Sequence, residues 1–339
     1  MKTILAMCTL CLWTSAFAQT NAIDSLSVSE KSSDVPANER ISRISDSKEF
    51  IYKKPGKFDY IKQAPSDFVT HVGNYFKKEN LPIMGAIFVS TVALVPVDQR
   101  LVDNAKEFGR DVGISSAEYS VNLSPYPDYA LFVPSDLGTA MYFIGDGFTH
   151  LTIDLGFLTY GLIKDDNRAL QTASQILEGL AVTGAWVQVL KHTTGRESPD
   201  RATAPGGVWQ VFPNQKDTFK DVPKYDAFPS GHLATVMSTL TIISENYPEH
   251  KFIRPLGYSL MTLLAYQMMN NGVHWASDYP LALFIGHNIG NIIVNKGRTV
   301  RDISTQSDLS SNTNWYSSLS VTPARFSNGA IGVHVQYVF

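Results

Sequence analysis

Apolar residues in this chain gather in runs of helical length rather than in strand-like alternation. Pro82–Val97, Thr139–Ile163, Ala169–Leu190, Leu233–Tyr247, Pro255–Met269 and Tyr279–Val294 are each mainly apolar, and Pro, Gly and Asn punctuate the gaps between them. The texture changes beyond Arg301. A Ser/Asn-rich linker leads to a last segment in which Ile331, Val333, Val335, Tyr337 and Phe339 alternate with Gly332, His334 and Gln336, the period of a strand. Ser327-Asn328-Gly329 precedes it, and Asn-Gly is a strong hairpin turn signal. The pattern predicts a mainly α fold: a helical bundle of about six core helices, followed by a short C-terminal β-hairpin.

The ends of the pattern carry a different message. Lys2, an apolar stretch and Ala16-Phe17-Ala18 form the pattern of a secretory signal peptide over residues 1–18, with cleavage expected after Ala18. The Ser, Asp, Glu and Asn that follow predict a polar flexible tail over 19–65. The helical domain is then assigned to 66–300, and the linker with its hairpin to 301–339. A membrane span takes about 20 mainly apolar residues. Pro82–Val97 is shorter than that, and Thr139–Ile163 contains Asp146, His150 and Asp154, each unfavourable at a bilayer centre. These features favour a compact helical domain outside the inner membrane, periplasmic or membrane-associated and facing the periplasm. Homo-oligomerisation is compatible with the same pattern.

Composition narrows the chemistry. Hydrophobic residues make up 44% and charged ones 17% of the chain, and the formal net charge is −3. Without a basic stripe, nucleic acid is excluded as a partner. Cys8 and Cys11 both fall inside the signal peptide, so the exported chain has neither a disulfide nor a thiol nucleophile.

Three clusters at helix ends carry the candidate chemistry. KHTTGRESPD, Lys191–Asp200, closes an apolar run and offers two cations, Lys191 and Arg196, suited to phosphate oxygens. AFPSGHLATV, Ala227–Val236, places Ser230 as a helix N-cap with Gly231 and His232 in the first turn, where free backbone N–H groups can seat an anion. GVHWASD, Gly272–Asp278, spaces His274 and Asp278 by four residues, so that the carboxylate can orient the imidazole. Each cluster singly also reads as an ordinary helix terminus. A second His-x3-Asp, His150 with Asp154, reads as a polar face within the bundle or a wall of the same cavity. No further ligand cluster supports a metal there, so neither a metal nor another cofactor is expected.

Together and in this order, the clusters resemble the type-2 phosphatidic acid phosphatase family, which shares its core with bacterial acid phosphatases and vanadium haloperoxidases. The family pattern is Lys-x6-Arg-Pro, then Pro-Ser-Gly-His, then Ser-Arg-x5-His-x3-Asp, and the resemblance extends from about Thr139 to Val294. It implies that His274 attacks phosphorus to form a phosphohistidine, that Asp278 orients it, and that His232 protonates the leaving group and later activates water. Lys191, Ser230 and Gly231 would hold phosphoryl oxygens without a metal. The sequence departs from the pattern in two places. Ser198 precedes Pro199 where arginine is expected, with Arg196 two residues earlier as a substitute, and Gln267-Met268 replaces Ser-Arg. The implied activity is an exported, metal-independent phosphatase acting on a phosphorylated small molecule or lipid. A catalytically silent phosphate-binding protein and a vanadium haloperoxidase are the alternatives.

Overall fold

The computed structural model describes residues 36, 38–45, 47–123, 132–303, 319–325 and 331–337. The expected signal peptide over residues 1–18, and with it both cysteines, lies outside the described residues. The protein is mainly helical, as the apolar runs predict. The runs become α2 (Leu81–Leu94), α4 and α5 (Leu137–Phe143 and Gly147–Lys164), α6 (Asn167–Thr194), α8 (Gly231–Asn246), α9 (Ile253–Asn270) and α10 (Tyr279–Gly297). Three more α-helices lie among the described residues: α1 (Asp59–Asn74), α3 (Asp98–Val112) and the short α7 (Gln215–Lys220).

The differences from the sequence pattern have physical causes. α1 runs through Pro65 and buries Asp67, His71 and Asn74, a polar face that a search for apolar runs does not register. α3 is polar overall but buries Asp98, Val102, Ala105 and Gly109, a narrow stripe at helical spacing. Thr139–Ile163 divides into two helices because Asp146 accepts a bond from the Phe148 N–H and so caps a new start. The stretch 19–65, expected to be a flexible tail, includes β1 (Glu39–Ser45), β2 (Lys48–Lys53) and the start of α1. Phe50, Ile51 and Tyr52 of β2 are buried, which gives this segment a core anchor that its polar composition conceals. β2 is the central strand of a three-stranded sheet, ordered β1-β2-β5. It pairs antiparallel with β5 (Arg298–Asp302), directly after α10, from Lys48↔Asp302 to Tyr52↔Arg298.

α6, α8, α9 and α10 enclose the main core, in which Val187, Leu233, Met237, Leu264, Ile285 and Ile289 are buried together. α8 and α10 cross at very close range. A Cβ on Gly286 would lie 2.2 Å from the Ala234 carbonyl oxygen, so only glycine permits this crossing. It fixes the N-terminus of α8 beside the turn that opens α10. A short ribbon, β3 (Ser120–Asn122) with β4 (Phe132–Pro134), precedes α4. The expected C-terminal hairpin is present as β6 (Leu319–Arg325) paired antiparallel with β7 (Ile331–Tyr337).

Candidate active site

The three clusters, far apart in sequence, are joined by backbone hydrogen bonds. α6 ends at Thr194, and the chain leaves it through Gly195, whose φ of 55° lies in the left-handed region. The next residue, Arg196, accepts a bond from the Ala227 N–H through its carbonyl at 3.0 Å. The Ser230 N–H donates to the Asp278 carbonyl at 3.2 Å, and the Thr194 hydroxyl donates to the Phe228 carbonyl. The C-terminus of α6, the N-terminus of α8 and the 272–278 turn therefore form one unit.

His274 is buried in that turn. Its Nδ1 donates to the Ala227 carbonyl at 2.7 Å; because a carbonyl can only accept, Nδ1 carries a proton, and in the neutral tautomer Nε2 is the nitrogen with the lone pair. Asp278 Oδ2 lies 3.4 Å from the same Nδ1 and acts on it as a charge. The Asp278 carboxylate is otherwise engaged: Oδ2 accepts from the Trp275 N–H at 2.8 Å and Oδ1 from the Arg196 guanidinium at 2.5 Å. The ring of His232, in the first turn of α8, lies edge-on to that of His274 with centroids 6.0 Å apart. On its other side His232 meets Tyr142, centroids 4.8 Å apart. Gly145 completes the wall, because a Cβ there would come within 2.8 Å of His232 Cβ. Burial pushes the His232 imidazole down to about 3, with any positive charge on His274, Lys191 or His150 acting in the same direction, so it is neutral near pH 7.

The expected phosphate ligands divide into two groups. The Lys191 ammonium lies 3.9 Å from the point a Gly231 Cβ would occupy, which places it beside the open N–H groups at the start of α8. It pairs with Asp226 at 3.2 Å. Ser230 is fully buried: its hydroxyl accepts from the Leu233 N–H and lies 3.6 Å from Met268 Sδ. Arg196 corrects the expectation most clearly. It is 0% exposed, between the rings of Trp209 and Trp275, and its guanidinium donates to Asp278, Ser277, Asp98 and the Gly206 carbonyl. Two buried carboxylates and a missing route to solvent make it a structural cation rather than a phosphate ligand.

A family comparison resolves what this unit is. Residues 172–301, which contain all three clusters, match the model of the PAP2 superfamily. This segment is similar to the PAP2 superfamily. Two solved structures are similar at low identity. Aquifex aeolicus LpxE is 18% identical with a TM-score of 0.35, over 47% of this chain and 83% of that one. A transmembrane PAP2 type phosphatidylglycerolphosphate phosphatase from Bacillus subtilis is 13% identical with a TM-score of 0.40, over 70% of this chain and 96% of that one. No curated protein sequence matches the chain.

Where this PAP2-like segment departs from the motif pattern, other groups fill the space. Met268 and Gln267 are fully buried, Met268 against the Ser230 hydroxyl and Gln267 in an amide network with Asn270 and Asn271. Ser198 is buried where its N–H donates to the Pro223 carbonyl. Three contributors escaped the motif reading: the Ala227 carbonyl, Gly145 and Asp98. Asp98 accepts from Arg196 at 2.7 Å and from the Ser277 N–H at 3.0 Å, across a separation no local motif reveals. His150 and Asp154 are buried on α5. Among the described residues, no group of three His, Cys, Asp or Glu side chains converges to hold a metal ion.

Proposed function

We propose that the protein is an exported phosphatase that hydrolyses a phosphomonoester or diphosphate of a lipid through a phosphohistidine on His274, without a metal. The observation that carries this reading is the bond from His274 Nδ1 to the Ala227 carbonyl, which makes Nε2 the lone-pair nitrogen of the neutral tautomer, beside His232. Nε2 attacks phosphorus, the P–O bond to the leaving group breaks, and His232 gives that oxygen a proton. Lys191 and the N–H groups of Gly231 and His232 balance the charge on the phosphoryl oxygens. In the second step neutral His232 takes a proton from water, the resulting hydroxide displaces His274, and inorganic phosphate departs. His232 is neutral in the empty pocket, so it acquires its proton together with the anionic substrate, which offsets the field of Lys191.

The lipid part of the proposal rests on apolar surface beside the site. None of α2 is buried, and Phe88 and Val89 are 69% and 64% exposed. The stretch Lys78–Val112 is long and apolar enough to cross a membrane by length and composition. α2 packs against residues 276–278, one turn from His274, which would bring a bilayer surface close to the pocket. A groove of about 790 Å³ lined by Ile61, Ala64, Phe68, Leu151 and Leu180 reaches Thr235, one turn beyond His232 on α8, and would suit an acyl or prenyl chain.

A phosphate-binding protein without turnover is the second reading. It is favoured by the engagement of Arg196 with Asp98 and Asp278, which leaves Lys191 as the cation at the pocket. Phosphate release from an aryl phosphate, phosphatidic acid and a polyprenyl phosphate, measured for the wild-type chain and His274→Ala, separates the two. Release that falls by at least about three decades in the variant, with an acid-labile, base-stable phosphoryl adduct on the wild type, supports the phosphatase. Equal release from both proteins refutes the nucleophile, and no release from either folded protein favours the binding reading. EDTA leaves the activity unchanged.

A further inference from the structure

A second polar cavity, of about 300 Å³, opens where α3 meets the end of α9, and Lys106, Arg110, Ser115, Ser116, Asp200 and Asn271 line it. Its electrostatics can be read from hydrogen-bond logic. The Ser115 carbonyl can only accept, and the Gln267 side chain reaches it at 2.8 Å, so that atom of Gln267 is Nε2, a donor. The same Nε2 bonds to the Asn271 side chain, so the Asn271 atom facing it is the acceptor Oδ1. Asn271 Nδ2 is thereby fixed as a donor on the opposite side of the amide. Asn271 is only 6% exposed and its Nδ2 has no partner.

The cavity supplies positive charge as well. Lys106 and Arg110 are one turn apart on α3 and both face it. Asp200 compensates Lys106 at 2.8 Å, whereas Arg110 makes no ion pair among the described residues. The surplus is therefore one guanidinium, with Ser116 beside it; the Ser115 hydroxyl is committed to the Ala117 carbonyl. We propose that this cavity is a second oxyanion site that takes a phosphate group, with Arg110 and Lys106 supplying its charge. The site stands independently of whether the histidine pocket hydrolyses its ligand. Asn271 precedes His274 by three residues, so a filled site would brace the turn that carries the nucleophile. The phosphate can be a second one on a doubly phosphorylated substrate or free inorganic phosphate.

Equilibrium dialysis of inorganic [³²P]phosphate against the full chain carrying His274→Ala tests this without turnover. One bound phosphate should weaken at least about tenfold in Arg110→Ala and again in Arg110→Glu, and persist in Lys191→Ala. Arg110 is an exposed side chain, and retention of the helical circular dichroism in both variants verifies folding. Phosphate binding abolished by Lys191→Ala and unmoved by both Arg110 variants would overturn the site, as would no binding at all. Binding lost with Arg110 and indifferent to Lys191 would support this site while counting against the histidine pocket. For the active chain, a KM for a lipid bisphosphate at least about tenfold below that of the matching monophosphate, lost in Arg110→Glu, assigns the site to substrate. A KM ratio near one, with free phosphate still bound at Arg110, assigns it to inorganic phosphate.

Discussion

Arg196 shows how a residue of the expected chemical type can be bound to a different task. Its guanidinium joins Asp98 on α3 to Asp278 in the 272–278 turn, and no side-chain atom of the three reaches solvent. Removing one member of such a buried set strands the other charges, an effect of about 3–5 kcal/mol. Arg196→Lys keeps the charge but cannot span both carboxylates. The expected outcome is a lower Tm and a kcat reduced about tenfold to a hundredfold, with KM unchanged. A raised KM at constant kcat would instead place the guanidinium on the substrate phosphate. At this scale the convergence of His232, His274 and Asp278 was legible because each lies in a short motif at a helix end, where local order decides position. The orienting Ala227 carbonyl was not legible, since a backbone acceptor leaves no side-chain signature. Nor was Asp98, whose partner Arg196 lies across the fold.

Among the elements, α2 has the least ordinary surroundings. A 14-residue helix in which no residue is buried has no folded-state partner for most of its apolar surface. Leu81, Phe88, Val89 and Val92 are each more than half exposed. Replacing Phe88, Val89 and Val92 together with serine should reduce co-sedimentation with anionic phospholipid vesicles at least about tenfold, since each buried side chain contributes roughly 1.5–3 kcal/mol. The Tm and the hydrolysis of a soluble aryl phosphate should not change; unaltered sedimentation would remove α2 from the membrane contact. The apolar run made this helix legible, but not its exposure, because the same run describes a core helix equally well. α1 and α3 were missed for the opposite reason, since their buried faces include Asp67, His71 and Asp98.

The whole molecule carries an unusual number of buried titratable groups, and their effects on stability oppose each other. Burial raises the Asp154 carboxyl to about 7 and, with the charge of Asp59, the Glu178 carboxyl to about 8. Folded carboxyls with raised values bind more protons than unfolded ones, so they add stability as pH falls through 8 toward about 4. Burial lowers His71 and His150 to about 4 and His232 to about 3. Those imidazoles remain neutral in the fold while the unfolded chain protonates below about 6.5, so stability is lost as pH falls from there. Above pH 6.5 the carboxyls act alone; below it the three histidines outweigh them. Thermal unfolding should therefore show a maximum Tm near pH 6.5, with a decline of several degrees toward both pH 8.5 and pH 5. Glu178→Gln should flatten the alkaline limb and steepen the acidic one, because the raised Glu178 carboxyl opposes the histidines down to about pH 4. None of these shifts is readable from composition, because burial of a charged residue is a property of the packed helices.

The pairing of β2 with β5 has a consequence for how the helical body could be built. Lys48 and Asp302, at the two extremes of that body, face each other across an antiparallel pair. In such a pair the two Cα atoms are about 5 Å apart, close enough for a two-residue turn to join them covalently. With that join in place, the path through the helices becomes a closed ring, and the order in which they are synthesised loses its geometric significance. A circular permutant opened after the exposed Asp165, between α5 and α6 and ahead of the α6 cap at Asp166, would present Lys191, His232 and His274 in the same order and the same space.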